Sequence, residues 1–319
     1  MGALSPSAAL LLLLAGMASP ARAYESDQVT ARQDPPAEAL AEANAHADEL
    51  LADAVARTNE QTHCEGDDDH IHEVLAREIH HQTGERVYVP ARGEQPPMGF
   101  GAYAAWLEMG PIDRDSHGDR DDLYRAVRFL SDPILATFGP ASTITLAGQL
   151  VGTDKIDHFW IQGFDYFRRS RQGEDPLRAV AWGTRTERGM WGLGTTGVFS
   201  FADLAANYDG LRFYDGLLSE DSILRRGPDG CVAQVEPWDW ARWIDWRYDE
   251  VLNPSVFRRA LAPGLRAGLD EQAPAFCAEG QARALVAVGP WVGPDAPQDG
   301  DRKLVTLQDL CLDAVQARR

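Results

Sequence analysis

The chain reads as a mainly α protein, a multi-helix domain with one small β-hairpin near residues 143–151. Three observations predict this. Pro36 to Asn59 is rich in Ala, Glu and Leu, good helix formers, with Leu40, Leu50, Leu51, Ala54 and Val55 available for packing. Gly152 to Phe167 carries Ile156, Phe159, Trp160, Gly163 and Phe167 on one side at helical spacing. Capping signals recur further on: Asp175-Pro176 puts an acceptor at an N-cap and proline at the first helical position, and Ser200 with Asp203 forms a capping-box start.

Taken in order, residues 24–36 look like a loose N-terminus, and Pro36 to Asn59 is the first long helix. A loop through His63 to His72 leads to a second helix ending near Gly84. Pro90 to Pro97 is a loop, Phe100 to Met109 a short helix, and Asp121 to Leu130 another. Thr143 to Val151 alternates and turns at Ala147-Gly148, the pattern of a hairpin. The helix after Asp175 carries Trp182, Gly183, Glu187 and Trp191, and Gly194 to Gly197 interrupts the chain before a helix from Phe201 to Leu218. A C-terminal helical region follows, with four tryptophans between Trp238 and Trp246, a helix from Phe257 to Leu269, a loop from Pro290 to Gly300 and a last helix from Leu304 to Ala317. The organisation expected is a signal segment at 1–23, a flexible 24–36, and one helical domain over 37–319. That domain would have its core at 152–218 and a Trp-rich region at 233–319.

Met1 to Ala23 has the layout of an export signal: an apolar stretch from Ala8 to Met17, then Ala21-Arg22-Ala23 as a small-x-small cleavage site. Beyond it no apolar run approaches the ~18 residues of a membrane span. Loss of Arg22 leaves 29 basic against 49 acidic residues, a net charge of −20. Such a balance argues against nucleic acid and anionic membrane surfaces as partners, since both reward Lys and Arg. The four cysteines, Cys64, Cys231, Cys277 and Cys311, fit two disulfides in an oxidising compartment. Three of them lie late in the chain, so at least one bridge should join Cys64 to the C-terminal region.

The candidate site centres on Asp154, Lys155 and His158. Asp154, His158, Gln162 and Asp165 form a polar stripe beside the aromatic one. Lys155 is one of two lysines against 28 arginines, which suggests a place that needs a compact ammonium. Asp203 and Asn207 lie four residues apart on another helix, and Asn is one of four in the chain and a poor helix-interior residue. Together with Glu187 these side chains are expected to converge: Asp154, His158, Glu187 and Asp203 as acids, base or divalent-metal ligands, and Lys155, Asn207 and Gln162 as ligand-holding groups. Two further stretches invite a metal reading. His63, Asp67, Asp69, His70 and His72 are all of ligand type, but no second histidine follows at a zinc-protease spacing, and an aspartate there suits an N-cap. Asp113 to Tyr124 begins like an EF-hand loop but lacks the closing glutamate.

The order Asp154-Lys155, His158-Phe159, Glu187, then Phe199-Ser200, Asp203-Leu204, Ala206-Asn207 and Gly210 resembles the VanZ-like family and the related YfiM-type periplasmic lipoproteins. There a D-K-x-x-H-F helix, a Glu-bearing helix and an F-S-x-x-D-L-x-A-N-x-x-G helix follow one another. The resemblance spans about 60 residues, from Gly152 to Gly210. It implies a cell-envelope location and a site, without a settled reaction, and it departs from VanZ-like proteins in having no membrane-embedded helices. Three functional readings follow. The converging residues form a structural polar network or ligand site; or they serve a metal-assisted hydrolase acting on an envelope component; or the Trp-rich region binds glycan or lipid, against the commoner use of tryptophan as core.

Overall fold

A computed structural model describes residues 25–317 apart from 91–97, 117–122, 125–126, 128–139, 174, 273, 279, 283–288 and 299–300. The signal segment expected at 1–23 therefore lies outside the described residues, as does most of the helix expected over 121–130. The architecture is mainly α, with ten helices among the described residues and small two- or three-stranded sheets. No helix among them is long and apolar enough to cross a membrane.

The N-terminal residues are built into the molecule, against the expectation of a loose segment. β1 (Glu25–Ser26) pairs in parallel with β4 (Pro140–Ala141), and α1 (Gln28–Ala31) follows. Asp27 explains the order: its carboxylate accepts from the Val29, Thr30 and Leu123 N–H groups at 2.7–2.9 Å. A buried carboxylate holding three backbone donors leaves no hydrophobic pattern to read.

α2 (Leu40–Thr62) buries Ala43, Ala47, Leu51 and Ala54 along one face, against α3 (Asp68–Gly84). β2 (Arg86–Val89) and β3 (Met98–Gly101) pair antiparallel and lead into α4 (Ala102–Met109). The expected hairpin is present as β5 (Thr143–Leu146) and β6 (Gln149–Gly152). Its turn residues Ala147 and Gly148 are both left-handed, at φ 53° and 73°, the combination that suits the twist of a two-residue hairpin.

β6 runs directly into α5, a continuous helix of three parts: Thr153–Asp157, a π-helical His158–Gln162, and Gly163–Arg171. α6 (Pro176–Thr186) likewise passes into a π-helical Glu187–Thr196, and β7 (Val198–Phe199) precedes α7 (Phe201–Asp215). The expected caps are in place, with Asp175 accepting from Leu177 N and Ser200 from Asp203 N. α5 and α7 cross closely, since a Cβ on Gly210 would sit 2.0 Å from the Phe159 carbonyl and one on Gly163 2.5 Å from Gly210 Cα. Gly183 makes room in the same way for the Tyr166 hydroxyl.

The C-terminal part is less helical than expected. β8 (Leu224–Arg226) and β9 (Val232–Gln234) form a hairpin, and two of the four tryptophans begin 3₁₀ turns, Trp240–Arg242 and Trp246–Tyr248. Residues placed at the start of two expected helices are strands instead. β10 (Val256–Arg258) lies between β7 and β11 (Leu304–Thr306) in a three-stranded sheet. The helices begin later, as α8 (Ala262–Gln272), the additional α9 (Pro274–Ala278) and α10 (Leu307–Ala317). Short three-residue strands carry no alternation long enough to distinguish them from a helix start. Two disulfides, Cys64–Cys231 and Cys277–Cys311, leave no free cysteine; the first spans 167 residues, joining the end of α2 to β9 as expected.

A buried polar cluster between three helices

The two π segments begin at His158 and Glu187, two of the side chains singled out in the sequence. A π turn takes an extra residue, so the polar stripe on α5 does not run on regularly past His158. Asp154, Lys155 and His158 point to α7, whereas Asp165 faces outward beside Arg168, at 3.8 Å. Gln162 also falls away from the cluster, with its side-chain oxygen buried and unpartnered. The expected convergence holds for Asp154, Lys155, His158, Glu187, Asp203 and Asn207, and not for Gln162.

Lys155 is the centre. Its side chain is fully buried, and Nζ lies 2.7 Å from Asp154 Oδ2, 2.5 Å from Asp203 Oδ1 and 2.6 Å from Glu250 Oε1. Three carboxylates thus use the three N–H bonds of one ammonium, a point-charge geometry that a guanidinium fork would not reproduce. Ser200, the N-cap of α7, ties the acids together. Its hydroxyl is 2.9 Å from Asp203 Oδ1 and 2.8 Å from Glu250 Oε1, and its backbone N–H donates to Glu187 Oε1 at 3.0 Å. His158 Nε2 meets Asp203 Oδ2 at 3.1 Å, and Nδ1 meets the Asn207 amide at 2.9 Å. With its nitrogen on that side, Asn207 also donates to the Asp203 and His158 carbonyls at 3.2 and 3.3 Å, leaving its oxygen towards the Tyr166 hydroxyl.

Four buried carboxylates beside one ammonium cannot all be charged. Burial pushes the Glu187 carboxyl well above the usual carboxylate range, and the Asp203 charge adds to it. Burial likewise raises Asp154 against the pull of Lys155, and raises Glu250 to about 7. For Asp203 burial is outweighed: His158, Lys155 and the Ser200 hydroxyl together hold it below its ordinary value. The hydrogen bonds agree. The Ser200 hydroxyl has one proton but stands between two carboxyl groups, so one of them supplies the other; Glu250 is the acid raised towards neutrality. The cluster is a Lys155–Asp203 ion pair among acids whose ionisation burial opposes.

Glu250 and Ser200 as a bridging hydroxyl were not among the residues expected from sequence. Glu250 sits 95 positions from Lys155, just after the second 3₁₀ turn, and nothing in Tyr248-Asp-Glu-Val251 marks it. Among the described residues no three His, Cys, Asp or Glu side chains are arranged to hold a metal ion. In the cluster the carboxylate oxygens already converge on Lys155, so the residues present do not fit a cation beside it. The His63–His72 ligand types also disperse: Asp67 caps α3 through the His70 N–H, Asp69 pairs with Arg171 at 2.9 Å, and His72 bonds the Tyr214 carbonyl. At the EF-hand-like stretch Asp113 accepts from Ala37 N and Asp115 bridges to Thr143, while residues 117–122 lie outside the described set.

Two of the four tryptophans of the Trp-rich region belong to the core. Trp238 and Trp240 are buried among Phe159, Trp160 and Phe213 with ring centroids 5.0–5.9 Å apart, and Trp240 donates to the Tyr103 hydroxyl at 2.8 Å. Trp243 is half-buried and Trp246 is exposed. Comparison with known protein families, with curated proteins and with solved structures finds no match to this chain.

Proposed function

We propose that the chain is an exported cell-envelope protein in which the Lys155 cluster is a structural polar network, not a catalytic centre. The observation that carries this reading is the closure of the cluster: Asp154, Lys155, His158, Glu187, Ser200, Asp203, Asn207 and Glu250 are each at most 5% exposed. A catalytic base or nucleophile must reach a substrate, and Lys155 has spent its N–H bonds on three acids. The network instead fastens α5, the π end of α6, α7 and the Glu250 segment in one register, which is how a satisfied buried polar network specifies packing. The VanZ-like order of motifs supports the envelope location, and the two disulfides fit an oxidising compartment.

The decisive comparison is urea unfolding of Lys155→Met against the triple variant Lys155→Met/Asp203→Asn/Glu250→Gln. A structural network predicts that the triple variant regains stability, because Asp203, the acid held in its charged form, is no longer left buried without its cation. A triple variant as damaged as the summed single variants would sink the reading. Export predicts that intact mass of secreted material starts the chain at Tyr24.

A second reading, a hydrolase acting on an envelope component, has one observation in its favour: Asp154 Oδ1 is buried with no partner. An activity lost in His158→Ala while the fold and melting temperature stay unchanged would establish it.

A further inference from the structure

Away from the cluster, the end of α7 and the Trp-rich turns enclose a groove of about 300 Å³. Its apolar lining is Phe213, Ile223, Trp238 and Trp243. The first three are buried core residues, whereas Trp243 is half-buried, and its ring lies within 15° of parallel to that of Trp238. Polar groups complete the lining. Arg212 stands 5.9 Å over the Trp243 ring, Arg242 and Asp221 are exposed, and Asp239, Ser219 and Ser222 lie beside them.

Three features set this groove apart from an ordinary crease between elements. Among the described residues the Asp221 carboxylate has no hydrogen-bond or ion-pair partner, although Arg212 and Arg242 line the same groove. The Trp238 indole N–H is buried and unpartnered, a costly state for a donor in a native protein. The loop that carries Ser219 and Asp221 turns at Leu218 with φ 64°, a left-handed conformation that leucine rarely adopts. Strain of this kind collects where a loop is held in place for a ligand.

We infer that this groove is a saccharide-binding site taking one or two pyranose rings. The chemistry narrows the ligand. Two aspartates and two arginines line the groove, so it carries no net charge and favours a neutral ligand. The indole and phenyl surfaces ask for an apolar face, and the carboxylate, guanidinium and hydroxyl groups ask for several hydroxyl donors and acceptors together. A sugar ring presents both, an apolar C–H face for Trp243 and equatorial hydroxyls for Asp221, Arg212 and Ser222. The volume is at the small end of ligand pockets, which suits a short oligosaccharide. The inference does not rest on the Lys155 cluster being structural.

The test is titration calorimetry and ligand-observed NMR on the full mature chain with cellotriose, chitotriose and maltotriose, each up to about 10 mM. The expected result is saturable binding of at least one trisaccharide. Trp243→Ala should weaken it about tenfold or more, as loss of a central aromatic anchor does. Because Trp243 also touches the core, Asp221→Asn serves as the second variant: binding should weaken several-fold with the melting temperature unchanged. Trp246→Ala, an exposed tryptophan outside the groove, should bind as the parent does. Absence of binding by all three sugars, or binding unaffected by both Trp243→Ala and Asp221→Asn, would overturn the assignment.

Discussion

Two charged sites on α7 fasten the same segment of chain by opposite means. At one, Arg247 spreads its guanidinium over Asp209, at 2.8 and 3.3 Å, and over Asp245, at 2.9 Å. At the other, three residues later in the segment, Glu250 reaches Lys155 and Ser200. The arginine site has two cations, Arg247 and Arg212, for two carboxylates, and Arg247 keeps some contact with water. The lysine site is dry and has a surplus of acids. The difference teaches how each cation is used. A planar fork pairs carboxylates two bonds at a time, whereas a compact ammonium collects three oxygens in the interior, where burial pushes the surplus acids towards their neutral form.

Breaking the comparison at its stronger end gives the largest effect. Lys155→Met leaves Asp203 charged and buried with one fewer partner, and should cost about 3–5 kcal/mol in chemical denaturation. Lys155→Arg should rescue little of it, because the larger fork cannot occupy a site closed within 2.5–2.7 Å on three sides. Full rescue by arginine would erase the distinction drawn above. At the Arg247 site the same swap in reverse, Arg247→Lys, should cost roughly 1–2 kcal/mol, since the lost bidentate bonds are partly replaced by water.

Glu187 sharpens the contrast within the cluster. If the acid holds its proton in the folded protein, Glu187→Gln changes little and should cost less than about 1 kcal/mol, against several for Asp203→Asn, which removes the charged partner of Lys155. Equal losses for the two would mean that Glu187 is ionised in place.

The smallest effect is the pH dependence of the lysine site. Glu250 is raised from 4.5 to about 7 by burial, so the folded state binds the proton more tightly than the unfolded chain. Its contribution is fully present below pH 4.5 and is lost as pH rises through about 7. His80 of α3, stacked on Phe164 and part of neither site, works in the opposite direction. Burial lowers it from 6.5 to about 4, so its contribution is present above 6.5 and is lost as pH falls towards 4. Unfolding free energies of Glu250→Gln and the parent, measured between pH 4.5 and 7.5, should therefore diverge in favour of the variant as pH rises. Parallel curves would show that Glu250 is ionised throughout.

What the sequence settled by itself was local. Helical periodicity, the Asp175-Pro176 and Ser200 caps and the Ala147-Gly148 turn each express a preference confined to a few neighbouring residues, and all reappear in the fold. The pairing of Cys64 with a distant cysteine was legible because three of the four cysteines lie late in the chain. The convergence of Asp154, His158, Glu187, Asp203 and Asn207 was legible too, because i,i+4 pairs of costly polar residues beside aromatic faces have to be buried together.

Tertiary structure decided the rest. The N-terminal residues became ordered through the Asp27 carboxylate, whose donors include the N–H of Leu123, 96 positions away. The π turn at His158 took Gln162 off the stripe, a change of register that no periodic pattern announces. Above all, the choice of Glu250 as third acid depended on a segment that Arg247 and the buried Tyr248 tie to Asp209 of α7. A carboxylate's charge state is set by the groups around it in space, and those neighbours exist once the chain has folded.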